Sequence, residues 1–184
     1  DNTNFQVFAI RDTRGSKNVH FKLTSSLSPN PLPELTSSNF FSVYNDQDWN
    51  ISVSIIPNKL GSLKFVSGSS DYDYTLKFEG YNTLLGDVRE SFSVTETITK
   101  EKGENFLKNA KRVYAGAYRD NITGSVVAES DVLVSGVRYW TKAIDQASKK
   151  QHALDFDNIG VTDTSENISA LDTSTKDLDV INQN

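Results

Sequence analysis

The chain has 184 residues and a formal net charge of −5, with no cysteine and no methionine. A chain of this length can close one hydrophobic core without a disulfide or a metal, and the lack of cysteine excludes a thiolate metal site. No stretch concentrates lysine and arginine as a phosphate-tracking surface does, and no apolar run approaches the roughly 20 residues of a membrane-spanning helix. We therefore expect one domain from a longer protein, with no nucleic-acid partner and no membrane insertion.

The dominant pattern along the chain is alternation of apolar and polar residues, which is typical of half-buried β-strands. The clearest case is 50–55, where Ile51, Val53 and Ile55 alternate with serines. Alternating or apolar runs predict strands at 5–10, 19–23, 41–44, 50–55, 62–66, 74–78, 91–98, 113–118 and 132–140.

Turn-forming residues separate these runs. Glycine and asparagine tolerate positive φ, so we predict turns at 58–61, 67–70, 79–82 and 120–124. Residues 28–33 contain three of the four prolines and predict a surface loop, because proline cannot donate to a strand ladder. Short strands about ten residues apart, joined by such turns, are typical of a β-sandwich.

Helical character is limited to two segments. Residues 145–154 predict a short helix with Asp145 as its N-cap and with Lys149 and Lys150 nearer its carboxyl end. Residues 104–110 predict a single helical turn. The polar segment after residue 160 predicts a linker or the start of a neighbouring element, which divides the chain into a domain at 1–160 and a tail at 161–184.

The C-terminal half contains two phrases that resemble the closing part of a laminin-G-like, concanavalin-A-like domain. Residues 114–117 (YAGA) are similar to the family's glycine-containing strand phrase, and residues 135–144 (SGVRYWTKAI) are similar to the phrase that precedes its short helix. Trp49 and the strand after it resemble an earlier strand of the family. Residues 81–92 and 118–127 are similar to domains of marine bacteriophage virion structural proteins, such as tail or surface proteins.

This resemblance implies an all-β fold, a concanavalin-A-like jelly-roll sandwich of two antiparallel sheets with one short C-terminal helix. It also implies a virion or extracellular-surface location, with other virion or surface-protein subunits as partners. The resemblance therefore favours a structural or adhesive role.

Signals of catalysis are weak. Glycoside hydrolases on this fold need paired carboxylates on one strand, and the nearest fragment, residues 129–131, lacks the third acid of the usual phrase. The two histidines, His20 and His152, lie in no nucleophile-elbow phrase, and we interpret both as surface or edge residues. We expect a protein that is not an enzyme.

The most suggestive binding segment is the loop at 67–74. Asp71 and Asp73 offer carboxylate oxygens to calcium, and Tyr72 and Tyr74 offer flat rings to a sugar. Because calcium takes about six to eight oxygens, two aspartates form only part of a site. A polar hairpin that merely leads into a strand explains the same residues.

Two functions stay open at this point. The first is a non-catalytic structural or adhesive module that mediates protein contacts or attachment. The second is a lectin that binds a host cell-surface glycan, with calcium as an assisting ion. Fold alone does not choose between them.

Overall fold

The computed structural model describes residues 5–25, 31–58, 72–108, 116–119, 125–129, 133–140, 143–158 and 160. Within them, regular structure consists of β1 (Gln6–Arg11), β2 (Asn18–Thr24), β3 (Leu35–Phe41), β4 (Asp48–Pro57), β5 (Tyr74–Leu84), β6 (Asp87–Ile98), α1 (Lys100–Lys108), β7 (Ala117–Arg119), β8 (Val126–Glu129) and α2 (Gln146–Leu154). The described chain is therefore mostly β, with two short helices.

The first sheet is antiparallel, with the strand order β1-β2-β3. Its middle strand turns Val19, Phe21 and Leu23 inward, as the alternating pattern predicts. Beside Phe21, β3 contains a bulge, because its register shifts there. The Ser37 hydroxyl accepts a hydrogen bond from the Phe21 N–H at 2.8 Å, so this buried donor is satisfied despite the irregular ladder.

The second sheet is also antiparallel, with the order β4-β5-β6. A two-residue turn, Leu85 and Gly86, joins β5 to β6, and both residues have positive φ, at 54° and 82°. Two successive positive φ values form the type I′ turn, whose twist matches that of the flanking strands. The third described sheet is a two-stranded pair of β7 and β8.

The turn predicted at 79–82 is wrong, because β5 continues through these residues. Gly80 is required there for packing: a Cβ at this position would lie 2.2 Å from Cε1 of the Phe92 ring. The close approach of Phe92 therefore explains the glycine that local propensity assigned to a turn.

The hydrophobic core lies between the two three-stranded sheets, which pack face to face. At its centre, the Phe21 ring of the first sheet lies 4.7 Å from Trp49 and 5.4 Å from Phe92 of the second sheet, centroid to centroid. Leu76 and Phe78 on β5 are fully buried in the same core. The predicted all-β sandwich is confirmed at the level of two packed antiparallel sheets.

The two helices differ from each other in how well they were predicted. The predicted helix α2 is confirmed, and the Asp145 carboxylate caps it by accepting the Ser148 N–H at 2.9 Å. The single turn predicted at 104–110 is instead the nine-residue helix α1. Its Gly103 lies against the Tyr74 ring and its Phe106 is buried in the core, so packing extends the helix beyond its sequence signal.

Two predicted strands are wrong in the described residues. The run at 41–44 is a turn, because β3 ends at Phe41 and Ser42 adopts a positive φ of 62°. Residues 133–140 form neither helix nor strand. Instead, Arg138 donates to the carbonyl of Asn158 at 2.9 Å, and Trp140 stacks on His152 with ring centroids 5.7 Å apart. This segment therefore packs against the end of α2.

Several predictions fall outside the described residues. They are the strand at 62–66, the turns at 67–70 and 120–124, residues 59–61 of the turn at 58–61, residues 28–30 of the loop at 28–33, the first part of the strand at 113–118, and the tail at 161–184. The division into a domain and a tail stays a prediction. No helix in the described part of the chain has the length and apolarity needed to cross a membrane.

Candidate functional site

The predicted ligand loop is only partly described. Asp71 lies outside the described residues, and Asp73 is exposed at the start of β5, where its carbonyl accepts the N–H of Asn58 at 2.9 Å. Tyr74 is 5% exposed and belongs to the core. The Tyr72 ring lies 5.4 Å from it, and a hydrogen bond with Tyr72, together with burial, raises the pKa of Tyr74 to about 12.

This geometry removes one of the two proposed sugar platforms, because a buried ring has no face to offer a ligand. Tyr72 is partly exposed, but the Lys100 ammonium lies 5.7 Å from its ring centroid. Among the described residues, no three acidic, histidine or cysteine side chains gather as a metal site. Calcium binding through Asp71 and Asp73 stays a prediction.

The two histidines have separate structural contacts. His20 lies on the outer face of β2, where its Nδ1 is 3.2 Å from Asp12 Oδ1, and Asn39 donates to the other Asp12 oxygen at 2.9 Å. His152 is 6% exposed and contacts the Gly160 carbonyl, so its interpretation as a surface residue is wrong. Neither histidine has a hydrogen-bonded serine or threonine among the described residues.

A buried ion-pair network joins α2 to the outer face of the second sheet. Glu79, in the middle of β5, is fully buried. Its two carboxylate oxygens lie 2.6 Å from Lys149 Nζ and 2.8 Å from Lys77 Nζ. Burial alone would raise the pKa of Glu79, but the hydrogen bonds from Lys149 and Lys77 outweigh it and hold that pKa below its usual value. Glu79 is therefore a carboxylate whose charge is matched by two ammonium groups.

The network also contains a serine and a lysine in contact, an arrangement that nucleophilic catalysis uses elsewhere. Lys149 donates to the Ser54 hydroxyl at 2.7 Å. A lysine that serves as a base must be free to take a proton from the serine, whereas the Lys149 Nζ already lies 2.6 Å from the Glu79 carboxylate. It is also 5% exposed, so a substrate does not reach it. The contact is structural.

A second arrangement of charged residues lies on the surface, where the β1–β2 hairpin meets the turn after β3. Here an open groove of about 210 Å³, which we call the hairpin groove, is lined by Arg11, Gly15, Ser16, Lys17, Ser42, Tyr44 and Asn45. The two lining segments are joined by a hydrogen bond from the Ser42 N–H to the Lys17 carbonyl at 2.8 Å.

Both cations of the hairpin groove lie over aromatic rings. The Arg11 guanidinium is 4.4 Å from the centroid of Tyr44, and the Lys17 ammonium is 5.6 Å from that of Phe41. Such cation–π contacts at exposed sites contribute only about 0.5–1 kcal/mol and leave the charge accessible to solvent. Neither cation forms an ion pair within the described part of the chain.

The groove is held in shape by main-chain contacts. The Tyr44 hydroxyl donates to the Ala9 carbonyl at 2.6 Å, which fixes the ring beneath Arg11. The turn that carries Tyr44 is closed by a hydrogen bond from the Asn45 N–H to the Ser42 carbonyl at 2.9 Å. At the tip of the hairpin, Gly15 has a φ of 81°, which the chain adopts readily only at glycine.

Sequence reasoning missed both arrangements. Arg11, Arg14 and Lys17 place three cations in seven residues of an acidic chain, a local signal that was available. The aromatic residues of the groove, Phe41 and Tyr44, follow about thirty residues later in the chain. Lys149 follows Glu79 by 70 residues. Only the fold brings these partners into contact.

No family model, curated protein or solved structure matches the chain. The laminin-G-like resemblance therefore stays a prediction.

Proposed function

We propose that this chain is a non-catalytic attachment module of a larger virion or surface protein, and that it binds its target in the hairpin groove. The observation that supports this most is the pair Arg11 and Lys17, two cations without carboxylate partners among the described residues. An acidic chain that keeps two unpaired positive charges in one groove presents a local attraction for a negatively charged group.

The order of the groove side chains favours ligand binding over the alternative that Arg11 and Lys17 are merely two exposed cations in contact with solvent. Tyr44 is fixed by its hydroxyl, and Arg11 lies over its ring, so both groups are ordered before a ligand arrives. Preorganisation lowers the entropy lost on binding, since fewer side-chain rotamers remain to be restricted. Ser16, Ser42 and Asn45 add hydroxyl and amide groups that can both donate and accept hydrogen bonds.

The non-catalytic part of the proposal rests on how the potential acid–base residues are used. Lys149 is committed to Glu79, and His152 is buried under Trp140. His20 is directed by Asp12 but has no described hydroxyl in hydrogen-bond contact to activate. These contacts favour binding without turnover.

We also propose that the two packed sheets belong to a concanavalin-A-like jelly roll. The support is the antiparallel order of both sheets and the short helix α2 near the end of the domain. An experimental structure that places 62–66 and 113–118 as further strands of these sheets would agree with this fold. A structure in which those segments lie outside both sheets would contradict it.

The function is tested by binding to an array that carries acidic glycans, neutral glycans and acidic peptides. The chain is compared with Arg11→Gln/Lys17→Gln and with a control, Lys102→Gln/Lys150→Gln, that removes the same charge from the two helices. We expect a signal that the groove variant loses and the control keeps. The same array, read with a chelator, tests the calcium-assisted lectin reading at Asp71 and Asp73.

Equal binding by the groove variant and the control would contradict the assignment of the groove. Release of cleaved saccharide from the array by the unmodified chain would contradict the non-catalytic assignment.

A further inference from the structure

The hairpin groove has features that narrow the chemistry of its ligand, and this step rests on the proposed function. Its two cations and its hydroxyl and amide groups line a space of about 210 Å³. Pockets for drug-sized ligands are larger, about 300–1,000 Å³. The hairpin groove therefore suits one ring-sized unit rather than an extended chain.

The polar lining favours a ligand with several hydroxyl groups. Ser42 and Asn45 can each donate and accept, and the Ser16 hydroxyl, which already accepts the Asn18 N–H at 3.0 Å, keeps a second lone pair for a ligand. A sugar ring offers hydroxyl groups that both donate and accept. A sugar acid brings its carboxylate and several hydroxyl groups together in one ring-sized unit, whereas the acidic side chain of a peptide brings only the carboxylate. The lining thus favours a saccharide over a peptide.

The two cations differ in the anions that they suit. The guanidinium of Arg11 is planar and can give two parallel hydrogen bonds to a carboxylate, whereas the ammonium of Lys17 is a point charge. Arg11 is ordered by the Tyr44 ring, which in turn is anchored to the Ala9 carbonyl. An ordered guanidinium can bind a planar carboxylate through two parallel hydrogen bonds.

From these observations, we infer that the hairpin groove binds a sugar unit that carries a carboxylate. Arg11 pairs with the carboxylate, Lys17 adds a second positive charge at the rim, and the hydroxyl and amide groups of Ser16, Ser42 and Asn45 contact the ring hydroxyls. No bond is made or broken in this process, and the ligand leaves unchanged.

The test uses the unmodified chain and a matched pair of small probes, methyl galacturonoside and its methyl ester, followed by calorimetric titration and by NMR shifts. The two probes share one ring and differ only at the carboxyl group, which is charged in the acid and is neutral and methylated in the ester. We expect the acid to bind about tenfold or more tightly than the ester, since charge-assisted hydrogen bonds are lost in the ester. Equal affinity for the two would overturn the inference.

Variants then separate the roles of the two cations. Arg11→Lys keeps the positive charge and removes the planar guanidinium, so we expect about a tenfold loss of affinity for the acid. We expect the affinity of Lys17→Arg to stay within about threefold of that of the unmodified chain. The control Lys102→Gln/Lys150→Gln is expected to bind as the unmodified chain does. Equal losses from Arg11→Lys and the control would overturn the assignment of Arg11.

Two further probes distinguish this inference from the broader function. Tighter binding of methyl galactoside 6-sulfate than of the acid, or displacement of the acid by a hexaglutamate peptide at lower concentration, would overturn the carboxylated-sugar assignment. Failure of every saccharide to bind, with an array signal that still depends on Arg11 and Lys17, would do the same and leave the attachment function standing. Loss of that dependence would remove both.

Discussion

Two regions of the molecule contain cations in defined positions. One is the contact between α2 and the second sheet, where the cations have a carboxylate partner. The other is the hairpin groove of the first sheet, where they have none among the described residues. Lys149 and Lys77 converge on the buried Glu79, whereas Arg11 and Lys17 lie over aromatic rings in an open groove. A charge buried without a partner destabilises the fold, so buried cations must be paired. Unpaired cations on the surface cost little and remain free to attract a ligand.

Residues that support folding can therefore be separated from those that support binding. Removal of a member of the buried network should lower the free energy of unfolding and leave the groove intact. Removal of a groove cation should change the free energy of unfolding little and weaken binding in the groove.

The largest effect is expected from Lys149→Met. It leaves Glu79 buried with one ammonium partner fewer, and loss of one member of a buried ion pair costs about 3–5 kcal/mol. The matched control is the exposed neighbour, Lys150→Met, for which we expect a change within about 0.5 kcal/mol. Urea unfolding measures both, and equal effects would show that the Glu79 contact contributes little.

A double variant tests whether this loss comes from the charge of Glu79, which keeps only Lys77 as its partner in Lys149→Met. Glu79→Leu/Lys149→Met removes both charges of the closest pair, and such replacements are often neutral or stabilising. We expect the double variant to unfold at a higher urea concentration than Lys149→Met alone. If the losses of the two single variants simply add, the two residues are not coupled.

The contribution of Glu79 should depend on pH. Folding lowers the pKa of Glu79. In the unfolded chain Glu79 therefore takes up a proton at about the ordinary glutamate pKa of 4.3, while in the folded chain the same carboxylate is still ionised at that pH. Stability from this group is therefore present above that value and lost as the pH falls through the lower folded pKa. The free energies of unfolding of the unmodified chain and of Glu79→Gln, measured in urea, should approach each other as the pH falls over this interval. A difference that does not change with pH would contradict a lowered pKa of Glu79 in the folded chain.

The sequence predicted the elements whose hydrophobic pattern is local. The strands at 19–23, 50–55 and 91–98 and the helix at 145–154 follow from period and capping, and the structure confirms them. The turn predicted at 79–82 failed because Gly80 is required by the ring of Phe92, which approaches it from the neighbouring strand. Local propensity cannot register such a contact.

The candidate site was harder to predict than the fold. The loop at 71–74 was favoured because it places acids and aromatic residues together, yet Tyr74 faces the core as its alternating position in β5 requires. The hairpin groove depends on the meeting of Arg11 and Tyr44, which the path of β2 and β3 brings about. A sequence search for short motifs does not find a site divided in this way.

A smaller effect is expected from Tyr44→Phe. It removes the hydrogen bond to the Ala9 carbonyl, worth about 0.5–1.5 kcal/mol, and keeps the ring beneath Arg11. We expect a small loss of stability and weaker binding of the carboxylated sugar, because Arg11 is less well ordered. Thermal unfolding and titration measure the two effects, and a variant that binds as tightly as the unmodified chain would show that this anchor does not order the groove.

A similarly small effect on folding is expected from Arg11→Gln/Lys17→Gln, which removes two exposed cation–π contacts of about 0.5–1 kcal/mol each. This variant allows the most direct test of the division. The measurement is the increase in unfolding free energy that methyl galacturonoside produces in the unmodified chain, in this variant and in Lys149→Met, since a ligand stabilises only the folded state that binds it. We expect the groove variant to be only slightly less stable than the unmodified chain and to gain nothing from the sugar, while Lys149→Met is much less stable and gains the full increment. If the groove variant unfolds as easily as Lys149→Met, or still gains from the sugar, the separation of folding and binding residues is wrong.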